Sequence, residues 1–286
     1  MTVLRIIRPS IIVMVDGGIC SQMHQYLLSE IFKRRGIKVE YDLSFFKNNG
    51  RDLTGKHVRN FDLLKIFPHL SFTEASSLKL FIYKIAFKHI GRYPDDQGTT
   101  WTNLNAPRLL LGYYADPQEL YYPLFQELFK FDPAIVLNQN DLELYNSIEA
   151  QNSIAIHVRR GDLANFVVGY GNPVTLEYFN RAISYFQDRI TNPHFYIFSD
   201  DYEYIINELI PSLKSPIRST IFSNKADKGY IDFIFISKCK HQITSKGSLG
   251  KYGALVNPDP DKIIIVSKDD NQTFMFNCLP SQIIKL

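Results

Sequence analysis

A chain of 286 residues, 45% hydrophobic and 21% charged, can bury a sizeable core, and that balance excludes a disordered polypeptide. The length accommodates two modest domains or one large α/β unit, and two domains are expected. A formal charge of +3 is too small to mark a nucleic-acid partner, although basic side chains can still gather at a phosphate-bearing ligand or an anionic membrane surface.

The first apolar runs are short, interrupted by Arg8 and Pro9 and stopped by Asp16, so they suit neither a spanning helix nor a signal peptide. From Ile11 to Val15 the chain reads as a strand that ends in Asp16-Gly17-Gly18. Met23, Leu27, Leu28, Ile31 and Phe32 then recur at helical spacing up to Gly36. Alternation of Ile37, Val39 and Tyr41 with Lys38, Glu40 and Asp42 predicts a second strand and completes a βαβ unit.

Residues 44–100 carry only weak helical patterns, such as Ser77 to Ile90, among scattered basic and aromatic residues. Leu120, Leu124, Phe125 and Leu128 predict a helix from Gln118 to Lys130, with Pro117 near its start. The polar stretch Asn138 to Asn152 holds another short helix and is the expected junction between domains 1–150 and 151–286. Beyond it the pattern alternates regularly. Strands are expected at 153–159, 194–199, 218–222, 241–245 and 262–267, and helices at 175–190, 201–210 and 228–239. Such alternation implies an α/β fold with a parallel sheet covered on both faces. The three cysteines, Cys20, Cys239 and Cys278, are widely spaced with no CxxC pair. They suggest neither a disulfide framework nor a zinc site, and a cytoplasmic protein is expected.

Period-two geometry in Ser153-Ile-Ala-Ile-His-Val-Arg159 puts Ile154, Ile156 and Val158 on one face and Ala155, His157 and Arg159 on the other. The strand stops at Arg160-Gly161-Asp162, and ligands of open α/β sheets sit beyond the carboxyl ends of strands. A guanidinium there can grip phosphate with two parallel hydrogen bonds and keeps its charge throughout. The competing reading is structural: Arg159 and Asp162 as a strand-end salt bridge, with His157 in the core.

His157-Val-Arg-Arg-Gly-Asp162 resembles the HxRRGD motif of the α-1,2-fucosyltransferases and of the superfamily that includes the α-1,6- and protein O-fucosyltransferases. Other segments resemble that family in the same order. Gly17-Gly-Ile-Cys-Ser-Gln-Met-His-Gln-Tyr26 is similar to its GGLGNQMFQY opening, Gly112-Tyr113-Tyr114 to its GY-aromatic element, and Phe198-Ser-Asp-Asp201 to its FSDD. The stretch Asp232 to Asn257 is similar to its last motif, although Ser245 to Leu255 reads SKGSLGKYGAL where the family has ANSTFSWWGAW.

The resemblance implies a GT-B-like architecture of two Rossmann-like domains with parallel sheets, with the donor held mainly by the C-terminal one. It implies an inverting, metal-independent transferase that uses GDP-fucose and no other cofactor. The acceptor would be the 2-hydroxyl of a galactose-terminated glycan or glycolipid precursor, met at the inner face of a membrane with peripheral contact to it. Arg159 would hold the β-phosphate and stabilise the leaving diphosphate. Gly17 and Gly18 would let backbone approach the diphosphate, and His157 with Asp200 or Asp201 would lie near the guanine or ribose. Asp162 and Ser248 complete the implied donor set. His24, whose imidazole titrates near neutrality, and Asp16 are candidate bases.

Three other readings compete. A nicotinamide enzyme is suggested by Gly17-Gly18 and Asp42, but positions 19–22 are Ile-Cys-Ser-Gln and break the dinucleotide fingerprint. A metal-dependent transferase of the GT-A kind is suggested by Asp200-Asp201 and by Asp259-Pro-Asp261, the latter formally a DxD; flanking prolines favour a turn there. The altered last motif also suits a catalytically silent nucleotide-sugar or glycan-binding protein.

Overall fold

The computed structural model describes residues 9–51, 58–87, 89–90, 104–111, 122–161, 163, 172–222, 224, 228–270, 276, 279 and 282–286. The chain forms two compact units, Met1–Asp116 and Pro117–Leu286.

The first unit is built on a four-stranded parallel sheet of β1 (Ile11–Met14), β2 (Val39–Asp42), β3 (His89–Ile90) and β4 (Arg108–Leu111), in the order β2-β1-β4-β3. The expected βαβ unit is present, with α1 (Ile19–Arg34) joining β1 to β2. Ile11, Ile12 and Val13 are fully enclosed, as befits a central strand. Two short helical turns, α2 (Ser44–Lys47) and α3 (Leu63–Ile66), and a longer helix, α4 (Ser77–Ala86), follow β2. The Ser76 hydroxyl caps α4 by accepting from the Lys79 N–H at 3.3 Å.

The second unit holds a six-stranded parallel sheet: β5 (Ser153–Val158), β6 (His194–Ser199), β7 (Arg218–Phe222), β8 (His241–Ile243), β9 (Ile263–Val266) and β10 (Gln282–Lys285). Their order, β10-β9-β8-β5-β6-β7, is doubly wound. The chain steps outward from β5 through β6 and β7, returns to lay β8 on the other side of β5, and continues through β9 and β10. The strand order therefore reverses between β5 and β8, which is where open α/β sheets form their ligand crevice.

Both faces of this sheet are covered. Ile154, Ile156, Val158, Phe195 and Ile197 pack with Tyr178, Phe179, Ile183 and Phe186, which come from helix α8 (Leu176–Gln187). Preceding helices are α5 (Tyr122–Leu128), α6 (Pro133–Val136) and α7 (Gln139–Glu149). The segment expected as helix 201–210 is one turn, α9 (Tyr202–Tyr204), running into a wider π-helical turn, Ile205–Leu209. The other face carries α10 (Gly229–Lys238), whose Phe235 packs on Phe222 of β7, and α11 (Leu249–Val256).

The division between units falls at Asp116/Pro117, earlier than the expected junction at 150/151. The reason is visible in the rings. Phe125 packs edge-on to Tyr252, Phe131 lies against Phe233 and Tyr145 against Phe235, while Lys238 bridges to Glu149 at 2.7 Å. The polar stretch 138–152 thus contains a helix whose apolar side belongs to the second unit.

Candidate functional site

In the second unit the reversal point is occupied by charge. Period two along β5 sends Ile154, Ile156 and Val158 into the α8 core and turns His157 toward α11. Arg159, the next residue on the His157 side, leaves the carboxyl end of the strand. Its N–H donates to the Ser245 hydroxyl at 2.8 Å, and the same oxygen lies 3.3 Å from His157 Nδ1. Ser245 follows β8, so one buried hydroxyl ties the ends of the two strands where the order reverses.

The Arg159 guanidinium pairs with Asp200, Nη1 to Oδ2 at 3.1 Å, and both side chains keep about a quarter of their surface. Asp200 also accepts the N–H groups of Arg160 at 2.9 Å and Gly161 at 3.1 Å through Oδ1. A Cβ on Gly161 would stand 3.0 Å from Asp200 Oδ2, so the residue must be small for the turn to close on the carboxylate. Asp201 works locally. It accepts the Tyr204 N–H at 3.1 Å and pairs with Arg160, whose guanidinium lies 3.9 Å from the Tyr204 ring centre.

The stem of Arg159 lies over Gly247, which takes a left-handed φ of 93° just before Ser248 begins α11. The Ser248 side chain caps none of the first helical N–H groups. This helix start therefore offers unclosed backbone donors and the positive end of a helix dipole beside a guanidinium, a combination that favours an anion.

His157 is buried, and burial, with Arg159 and Lys251 nearby, draws its imidazole down to about 4 against the pull of Asp200. It is neutral at physiological pH and donates or accepts without carrying charge. Gly250 is what admits it: a Cβ there would come within 2.8 Å of His157 Cβ. Next to Gly250, Lys251 pairs with Asp270 at 2.5 Å with both side chains enclosed. A fourth carboxyl, Asp232 on the first turn of α10, accepts from Asn224 Nδ2 at 2.6 Å. Burial pushes it up to about 7, and Asp200 adds to the rise.

In the first unit, the turn after β1 is held by two glutamines. Gln25 accepts the Asp16 N–H at 3.1 Å and donates to Asp16 Oδ1 at 2.7 Å. Gln22 donates to the carbonyls of Gly17 and Asn60 and accepts the N–H groups of Asp62 and Leu63. Gly17 has φ 74°, and a Cβ on it would stand 2.8 Å from the Ser21 hydroxyl, so glycine is required for conformation and for space. Gly18, the N-cap of α1, faces open space.

The structure thus brings Arg159, His157, Asp200 and Ser248 to one end of one sheet, with Asp201 beside them in the turn that follows β6. Asp162 and the 112–114 element lie outside the described residues, although Leu111 ends β4 immediately before Gly112. Both candidate bases are enclosed. His24 is 3% exposed and burial lowers its imidazole to about 3, while Asp16 is clamped by Gln25; a base must reach an acceptor hydroxyl. Asp259-Pro-Asp261 forms the expected turn, with Asp259 accepting the Asp261 N–H at 2.8 Å. The sequence reading overlooked Ser245, Gly250, Lys251 and Asp232 as individual residues, although all four fall within the motif it recognised.

Comparison with known proteins agrees with the family resemblance. Residues 108–279, more than half of the chain, match the model of glycosyl transferase family 11. The O-antigen biosynthesis glycosyltransferase WbnK of Escherichia coli is 25% identical over 162 residues, 54% of this chain and 53% of that protein. An alpha-1,2-colitosyltransferase of Escherichia coli is 29% identical over 129 residues, 42% of this chain and 41% of that protein. The matches span about half the length of these curated relatives or less. Among solved structures, a family 9 glycosyl transferase from Veillonella parvula aligns with 97% of this chain and 87% of its own at a TM-score of 0.47 and 10% identity. POFUT1 in complex with GDP-fucose aligns with 97% of this chain and 98% of its own at a TM-score of 0.41 and 11% identity. Likenesses at TM-scores below 0.5 do not establish a common fold. The family match does not depend on them: the chain belongs to glycosyl transferase family 11.

Proposed function

We propose that this protein is an inverting glycosyltransferase that moves fucose from GDP-fucose to the 2-hydroxyl of a galactose on a glycan or glycolipid precursor, on the cytoplasmic side of a membrane and without a metal. The observation that carries the reading is the Arg159 guanidinium at the reversal point of the second sheet, beside the open N-terminus of α11.

In such a transfer the acceptor oxygen attacks the anomeric carbon from the face opposite the leaving diphosphate, and the sugar passes through an oxocarbenium-like state. Negative charge grows on the diphosphate as the bond breaks. Arg159 and the first N–H groups of α11 are fixed in place before that charge appears, so they meet it without reorganising. The acceptor proton leaves to a base or to water. The guanine edge presents two donors that one carboxylate can accept. Asp200 and Asp201 are the half-buried carboxylates at this end of the sheet, so in this reading one of them takes the guanine edge, with neutral His157 next to the ribose.

The test is transfer of labelled fucose from GDP-fucose to a panel of galactosides, with and without EDTA. Activity that survives EDTA supports the proposal, and loss restored by Mg²⁺ or Mn²⁺ returns the metal-dependent reading. Arg159→Ala should lower turnover about tenfold to hundredfold, the loss of one charge-assisted contact of roughly 1.5–3 kcal/mol in the transition state, with an unchanged fold. Near-normal turnover in that variant removes Arg159 from the mechanism. Tight GDP-fucose binding with no transfer to any acceptor favours a silent binding protein. A second donor has its own support, because one relative is named as a colitosyltransferase. Preference for nucleotide-activated colitose over GDP-fucose would keep the site chemistry and replace the sugar.

A further inference from the structure

Helix α4 has two apolar faces, and the described residues pack on only one of them. Its inner side carries Tyr83, which is fully enclosed, with Leu80 and Phe87 packed on Ile12, Ala75 and Leu109. Lys79 on the same side is buried and neutralised by an ion pair with Glu40. The opposite side presents Leu78, Phe81 and Ile85, spaced i, i+3 and i+7, with exposures of 70%, 61% and 70%, and Ile82 half-buried among them. At 100° per residue, these four side chains cover an arc of about 100° directed away from Tyr83. A helix that is apolar on both sides normally has both sides covered, and three large apolar side chains in one exposed arc mark a contact surface.

The charge around the arc identifies what covers it. Lys84 is exposed on α4 at the rim, one helical step from Phe81. The helix itself, Ser77–Ala86, carries no Asp or Glu. An apolar stripe with an exposed lysine at its rim and no carboxylate on its own helix complements a bilayer whose headgroups are anionic and whose acyl chains begin just beneath them. No described helix is long and apolar enough to cross a membrane, so the contact is with the surface.

We propose that α4 is a membrane-docking helix, lying in the plane of an anionic lipid surface with Leu78, Phe81, Ile82 and Ile85 inserted and Lys84 at the headgroups. The surface is independent of the donor assignment and would stand if the sugar nucleotide were another. The experiment is flotation of the full-length protein with vesicles of phosphatidylcholine alone and of phosphatidylcholine mixed with phosphatidylglycerol. Wild-type protein should float with the mixed vesicles, weakly with the neutral ones, and less at high salt. Leu78→Ser with Phe81→Ser and Ile85→Ser should reduce partitioning at least about hundredfold, from the summed loss of apolar burial. Lys84→Glu should reduce it several-fold and flatten the salt dependence. Both variants change exposed positions, and an unchanged melting temperature would show that folding is intact. Three results would overturn the proposal: wild-type protein that ignores phosphatidylglycerol, a triple variant that floats as well as wild type, or a wild-type dimer that the triple variant splits with no effect on vesicle binding. The last would assign the stripe to a second copy of the chain.

Discussion

Replacing Asp232 by asparagine should change how the stability of the second unit depends on pH, and the direction follows from burial. In the unfolded chain this carboxyl ionises near its ordinary value of 3.8, whereas in the folded unit burial, opposed by the Asn224 hydrogen bond and assisted by Asp200, pushes it up to about 7. Between those values the folded state holds a proton that the unfolded state has released. Stability contributed by this group is therefore complete below about 4 and lost as the pH rises to about 7. At about 1.4 kcal/mol per pH unit the loss reaches about 4 kcal/mol, which is roughly 2 M in a urea midpoint for a unit of this size. His157 in the same unit, and His24 in the first unit, act in the opposite sense. Burial holds them neutral, with imidazoles at about 4 and about 3, so they stabilise above about pH 6.5 and lose that contribution as the pH falls. The difference between wild type and Asp232→Asn isolates the carboxyl from the histidines. Urea unfolding from pH 5 to pH 8 should show the variant gaining on wild type as the pH rises, then running parallel to it above about 7. Parallel curves across the whole range would mean that Asp232 ionises at its ordinary value and that its burial carries no such penalty.

Two further perturbations test the packing under the site. Gly250→Ala puts a methyl group within 3.0 Å of His157 Cβ, Cγ and Nδ1, and His157 is itself enclosed, so the second unit should lose about 1–3 kcal/mol of stability by thermal or urea unfolding. Donor affinity should fall with it as the imidazole is displaced; a variant as stable and active as wild type would show that the α11–β5 approach is loose. Lys251→Met should destabilise by about 3–5 kcal/mol, because it breaks an enclosed ion pair by removing one partner. Adding Asp270→Leu should restore most of that loss, and failure to do so would show that the pair does more than neutralise itself.

Much of the second unit was legible because its central strands are buried on both faces. Ser153–Val158 and His194–Ser199 read as apolar runs closed by polar residues, and the one imidazole in β5 marked the face turned to the site. Arg159 and its neighbours were legible for the same reason, since strand periodicity fixes which residues share a side. Less was legible where a residue serves a neighbour rather than its own element. The eight residues Leu249–Val256 contain Gly250 and Gly253, poor helix formers that argue locally against a helix. They are there because a Cβ at either position would strike His157 or Ile236, and that contact has no local signature. Arg108–Leu111 was hidden because a run of four residues is too short to show a period, and Gln282–Lys285 because only one neighbour, β9, supports it. The junction was misplaced because the rings of Phe125, Phe131 and Tyr145 complete a core assembled from residues about a hundred positions later, and such contacts have no local signature.

The pairing of Arg159 with Asp200 also bears on how the site empties. A lone guanidinium would hold any diphosphate tightly, spent product included, and turnover would stall on departure. In the proposed reading Asp200, 3.1 Å from Nη1, would compete with any anion for that edge of the guanidinium, on arrival and on leaving. The resting protein supplies its own counter-ion, and the grip on ligand is set by the difference between two anions, not by the strength of one.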